Sequence, residues 1–251
     1  MAASAGTDPN AARAFVDLHC HTSASFDSLA SPAAVVRAAA ARGLTHLAIT
    51  DHDRIDGALE AKAAAAVEAP GLTVLVGQEI RTTAGDLIGL FLHEPIRPGL
   101  APAEAVAAVR AQGGLIGMAH PFDRFRGSVG RGAAVELDEL ARTVDWIEAW
   151  NARLIVGDGN ARAAQLATRA GIAGVAVSDA HTTMEVGIAA TILSGDPGTP
   201  EGMQAALTGP LELVMGRASA YVRLFGPAAK LVQRARGRGR VRVAADAASR
   251  R

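Results

Sequence analysis

The sequence predicts one α/β domain of repeated β/α units around a parallel sheet, and three observations carry that prediction. The chain has 251 residues, a length typical of an α/β barrel. Short apolar runs rich in β-forming residues alternate with Ala-rich segments of helical length. Six of the seven histidines fall at or just after the C-terminal end of such a run, where barrel strands open onto one face.

The strand candidates are residues 15–18, 44–50, 72–77, 87–92, 114–119, 144–150 and 173–178. Between the first two, Ser31 followed by Pro32 reads as an N-cap with proline at the first helical position, and Gly43 as a C-terminal stop. Residues 32–42 are therefore expected to be helical, as are 55–68, 102–112, 137–142, 160–170 and 200–207. Residues 80–86 are too few for a parallel crossover, so a hairpin-like distortion is expected there. Residues 1–13 and the Arg/Gly-rich stretch at the other end hold few core-forming side chains and are expected to be mobile. The sequence thus divides into a flexible N-terminus (1–13), a barrel domain (14–225) and a basic tail (226–251).

Charge is balanced overall, 25 basic against 25 acidic residues, but not locally. Residues 226–251 hold eight basic residues and one acid, a net +7, which leaves 17 basic and 24 acidic in the rest, a net −7. A polycation built to coat nucleic acid is excluded. The single cysteine, Cys20, excludes an internal disulfide and a Cys-rich zinc knuckle. No apolar run approaches the length of a membrane span, and the first residues lack a signal-peptide core, so a soluble cytoplasmic protein without membrane partners is expected.

His19 and His21 alternate onto one side of an extended segment, as do Asp179 and His181, and the two pairs meet if the first and last strands are neighbours. One histidine at a strand end is usually a hydrogen-bonded structural residue, but six in matching positions point to metal. Glu79 ends an apolar run, where it either pairs with Arg81 or bridges metals; the surrounding histidines favour bridging. Asp27 caps a turn or ligates. Asp51 is read as a carboxylate orienting a ligand, Asp53 and Asp56 as turn formers, His46 as structural, Cys20 as core, and Trp146 and Trp150 as packing residues.

The ordered set DLHCHTSASFDS, ITDHD, GQE, LHEP, AHP and SDAH, over residues 15 to about 190, resembles the PHP (polymerase and histidinol phosphatase) metal-dependent phosphoesterases. The resemblance implies a distorted (β/α)7 barrel with three divalent transition-metal ions (zinc, manganese or iron) at the C-terminal mouth. It implies that His19, His21, Glu79 and Asp179 hold one ion, that Glu79 bridges to a second held by His93 and His120, and that Asp27, His52 and His181 hold the third. Asn151 is an alternative to His93, or a substrate contact.

Three divalent ions (+6) against Glu79, Asp179 and Asp27 (−3) leave a formal +3, suited to a phosphate dianion. Glu79, Asp179 and His181 would serve catalysis, a metal-bridging hydroxide would attack phosphorus, and Arg124 or Arg126 would bind phosphate oxygens. The expected reaction is hydrolysis of a small phosphomonoester, such as a nucleotide or amino-alcohol phosphate. An amidohydrolase-like hydrolase and a nucleic-acid-associated module with a weakly polyanion-binding tail are the alternatives. The tail is expected to be dispensable for turnover, and the sequence sets no oligomeric state.

Overall fold

The computed structural model describes residues 13–123, 128–129, 134–219 and 221–241. Its elements run β1 (Arg13–Asp17), α1 (Pro32–Ala41), β2 (His46–Ile49), α2 (Asp56–Glu68), β3 (Thr73–Arg81), β4 (Asp86–Leu90), α3 (Pro102–Ala111) and β5 (Leu115–Met118). They continue through α4 (Ala134–Ala141), β6 (Trp146–Asn151), α5 (Gly159–Ala170), β7 (Ala173–Val177), β8 (Ala189–Ser194), α6 (Pro200–Thr208), β9 (Glu212–Met215) and α7 (Val222–Ala235). The strands form one nearly closed sheet in the order β7-β6-β5-β4-β3-β2-β1-β8-β9.

Local chemistry explains the helix ends. The Ser31 side chain accepts from the Ala34 N–H, and Pro32 opens α1 without forfeiting a hydrogen bond. Gly171 ends α5 at φ 67°, a left-handed conformation that costs glycine little. The strands β2, β4 and β5 are buried along their whole length, as expected of strands covered on both faces. One face packs against the helices through Leu47, Ile49, Val36, Ala58, Val109 and Leu166. The other fills the interior with Val16, Leu18, Leu75, Ile88, Leu115 and Trp146, and Met203 and Leu207 of α6 join that cluster.

The short 80–86 connection is a true hairpin. Strand β4 runs antiparallel to both β3 and β5, with Arg81 opposite Asp86. Two strands beyond the expected seven, β8 and β9, add an antiparallel flap beside β1. Strand β8 is mostly buried, whereas β9 is largely exposed and carries little of the apolar signal that marks a core strand. At the mouth the segments that follow β1 and β7 nonetheless meet: Cys20 bridges Ala180, the His21 N–H donates to the Ala180 carbonyl at 2.8 Å, and the Ser178 N–H donates to Asp17 Oδ1 at 3.0 Å.

The compositional boundary at 225/226 falls inside α7. Gln233 of this helix is fully buried against the barrel, and beyond it the largely exposed chain touches the body through Arg240, near Asp86, and through the Val241 carbonyl, which accepts from Arg81. None of the helices among the described residues is long and apolar enough to cross a membrane.

Trp146 is completely buried over Gly117, where a Cβ would lie 2.1 Å from the indole. Gly117→Ala should therefore destabilise the barrel by about 1–3 kcal/mol, read as a lower denaturant midpoint. The double variant Gly117→Ala/Trp146→Phe should recover part of the loss. An unchanged midpoint for the single variant would contradict this packing.

Candidate metal centre

Each strand end contributes one or two side chains to a buried mouth. The extended chain after β1 turns His19 and His21 to one side and Cys20 to the other, into the helix-facing core. Asp51, just beyond β2, fixes this turn by accepting from the Thr22 N–H at 2.7 Å and the Thr22 hydroxyl at 2.6 Å. It thus orients His21 through the backbone. Gly57 makes room for the arrangement, since a Cβ there would meet Asp51 Oδ2 at 2.1 Å and Thr22 Oγ1 at 2.4 Å.

Glu79 lies at the centre. Its Oε2 is 3.3 Å from both His19 Nε2 and His21 Nε2 and 3.1 Å from His52 Nδ1, while Oε1 is 3.1 Å from His120 Nε2. Asp179 Oδ1 lies 3.6 Å from His21 Nε2 and 3.8 Å from His19 Nε2. On the other side, Asp27 Oδ2 stands 3.3 Å from His52 Nε2 and 3.3 Å from His181 Nε2.

Three groups have ligand atoms mutually within 4.8 Å: His19, His21 and Asp179; His21, Asp27, His52 and His181; and Glu79, Asp86 and His120. Eight of the nine expected ligands converge in this way. His120 and Asp179 both hold positive φ, 25° and 52°, a strained backbone of the kind found at functional sites.

The exception is His93. Because β4 runs backwards, its C-terminal end lies at the base of the barrel, where His93 is exposed beside Thr73 and Gln112. The same reversal brings the first residue of β4, Asp86, to the mouth beside Glu79 and His120, so Asp86 occupies the place expected for His93. Asp86 is 2% exposed and its carboxyl is pushed up to about 6, by burial first and then by the Glu79 charge.

Glu148 was not anticipated either. It is a charged residue at the middle of the apolar run VDWIEAW, and that was the available signal, because a carboxylate buried in a strand needs a partner. Its Oε1 meets His19 Nδ1 at 2.6 Å, and its Oε2 accepts from the His120 N–H at 2.9 Å. Asn151 Nδ2 bridges Glu148 Oε2 and Asp179 Oδ2, both at 2.9 Å, so its role in the structure is to align two carboxylates. Arg124 and Arg126 lie outside the described residues. His46 is structural as expected, bonded to Thr45 and Asp196 away from the mouth.

The electrostatics follow from burial and pairing. Burial opposes ionisation of Glu79, but His52 and His19 outweigh it and hold the carboxyl well below its usual range. Burial likewise disfavours the charged form of Asp27, which His181 and His52 overcome to hold it well below its normal value. Burial would lower His19, yet Glu148 and Glu79 raise it to about 10. His181 is driven well below its usual value by burial, then by Arg153 and His21, against the opposing pull of Asp27.

This donor set fits divalent metal ions. His19 Nε2 and His21 Nε2 point at each other across 3.0 Å, a contact in which at most one can donate. His52 Nδ1 is buried without a hydrogen-bond partner although Glu79 Oε2 is 3.1 Å away. Imidazole nitrogens and carboxylate oxygens without thiolate are ligands for zinc, manganese or iron.

Comparison with known proteins agrees with the geometry. The family model described as PHP domain matches residues 17–163, and a second, described as PHP-associated, matches residues 157–208. An uncharacterised protein of Methanocaldococcus jannaschii is 34% identical over 173 residues, 68% of this chain and 67% of that protein. A 3',5'-nucleoside bisphosphate phosphatase of Chromobacterium violaceum is 40% identical over 90 residues, 34% of this chain and 30% of that protein. A crystal structure from Bacteroides vulgatus, described as a two-domain protein containing a predicted PHP-like metal-dependent phosphoesterase, superposes with a TM-score of 0.66 at 17% identity. It is covered to 66% of its length by 83% of this chain. With its matched family model spanning most of the barrel and its histidine and carboxylate clusters at the strand ends, the chain belongs to the PHP domain family.

Proposed function

We propose that the protein is a metal-dependent phosphoesterase that hydrolyses small phosphomonoesters, a class that includes nucleotide and amino-alcohol phosphates. The observation that carries the reading is Glu79, whose two oxygens lie within 3.3 Å of four imidazoles belonging to three contiguous clusters. One carboxylate shared in this way suits adjacent cations, and adjacent cations suit in-line displacement at phosphorus.

In this reading His19, His21 and Asp179 would hold one ion, Glu79, Asp86 and His120 a second, and Asp27, His52 and His181 a third. Bound there, divalent ions supply Lewis acidity toward phosphoryl oxygens and acidify water. The chain's own residues do the positioning. Glu148 holds the Nδ1 side of His19 and turns Nε2 inward. Asn151 restrains Asp179 Oδ2 and leaves Oδ1 facing His19 and His21. The formal charge of the mouth becomes 6−5=+1 once Asp86 and Glu148 join Asp27, Glu79 and Asp179, smaller than the +3 expected from the sequence.

The purified protein should bind close to three divalent transition-metal ions per chain and hydrolyse 4-nitrophenyl phosphate, with chelator abolishing turnover. Metal-loaded protein that cleaves amides or carboxylic esters but no phosphate ester would overturn the proposal.

A variant series tests the ligand map. Glu79→Gln should lower metal content by up to two ions and turnover by at least ~100-fold, and Asp86→Asn should cost the ion shared with His120. His93→Ala should keep wild-type metal content and turnover. Metal loss in His93→Ala would restore the original assignment. Glu148→Gln should weaken metal binding about 10- to 100-fold through misorientation of His19.

A further inference from the structure

Helix α7 and the residues after it do not lie apart from the mouth. Gln233 donates through Nε2 to the carbonyls of Ser23, Ser25 and Ser28 at 2.8, 3.0 and 2.8 Å, so the helix is clamped to the loop that carries Phe26 and Asp27. Arg240 reaches further in. Its Nη2 is 3.5 Å from Asp86 Oδ1 and its Nε is 3.8 Å from Asp53 Oδ2, and Asp86 belongs to a candidate metal cluster. Phe26 forms the shared wall: its ring lies 4.9 Å from that of His52, while Lys230 and Arg240 each stand 5.4 Å from its centre.

Between Phe26 and the C-terminal segment is a recess of about 480 Å³, lined also by Lys230, Arg234, Arg238 and Arg240. Arg240 has carboxylate partners. Among the described residues no carboxylate lies within ion-pair distance of Lys230, Arg234 or Arg238. Three cations around one concavity, without an acid, create a positive potential beside a metal mouth whose own formal charge is only +1. Their mutual repulsion falls when an anion enters.

We propose that this recess is a second anion-binding subsite, which selects phosphomonoesters carrying a further anionic group on the leaving portion. The reacting phosphate occupies the metal mouth, the apolar part of the leaving group lies along Phe26, and the second anion meets Lys230 and Arg234. Arg240 stands between the two anions. This inference rests on the phosphoesterase reading for its first anion, but the recess can be tested by binding alone.

The test uses the full chain loaded with metal and two pairs of probes. Hydrolysis of 4-phosphonophenyl phosphate is compared with that of phenyl phosphate, which lacks only the second anion. Calorimetric binding of benzene-1,4-diphosphonate is compared with that of phenylphosphonate, neither of which can be hydrolysed. Wild-type protein should favour the member of each pair that carries the second anionic group by at least about tenfold, a preference that shrinks as salt rises.

Lys230→Gln/Arg234→Gln should abolish the preference in both assays while leaving hydrolysis of phenyl phosphate within twofold. These side chains are exposed and Gln233 is retained, so the Asp27 loop stays clamped. Equal losses on both substrates, or no wild-type preference in binding, would overturn the subsite. A binding preference without any phosphate-ester hydrolysis would uphold the subsite and remove the phosphoesterase reading instead.

Discussion

A carboxylate buried among four imidazoles is the constraint on which the rest of this structure depends. Glu79 is 2% exposed, and a charge so placed is tolerable only when cations or protons surround it. Those four imidazoles arrive from three separate places in the chain. His19 and His21 follow β1, His52 follows β2 and His120 follows β5, so the curvature of the sheet is what brings them within reach. The strained backbone at His120 and Asp179 is the local cost of turning side chains inward at the ends of β5 and β7. Glu148 and Asn151 then limit how far His19 and Asp179 can swing.

Much of this centre was legible in the sequence because barrel strands convert linear position into spatial position. A histidine at the end of an apolar run, repeated across the chain, is enough to bring His19, His21, His52, His120 and His181 to one mouth, and alternation correctly sends Cys20 the other way. The same logic failed at His93, and for one reason. It assumes that all strands point the same way, whereas the short 80–86 connection had already indicated a reversal. Carried one step further, that hairpin exchanges the strand's last residue for its first and points to Asp86.

Glu148 escaped for a different reason. Its signal was a single charge within an apolar run, which periodicity treats as an interruption rather than as a residue with a partner. Strand β9 was hidden because little of it is buried, and burial is what writes hydrophobic pattern into sequence. Helix α7 was hidden by the Arg/Gly-rich run that follows it. Composition alone marked the segment as poor in core-forming residues, yet one buried glutamine amide and one buried alanine, Ala229, are what seat it on the barrel. A polar anchor of this kind has no signature in hydropathy.

The clamp made by Gln233 also bears on the order in which the centre is assembled during synthesis. Every candidate ligand, from His19 to His181, leaves the ribosome before residue 233 does, so the strands can curve and most of the imidazoles can gather while the chain is still growing. Asp27 is among the earliest of these residues to appear, but the carbonyls at 23, 25 and 28 that shape its loop acquire their common donor only when α7 arrives. The cluster of His21, Asp27, His52 and His181 is thus finished by one of the last described segments to be made.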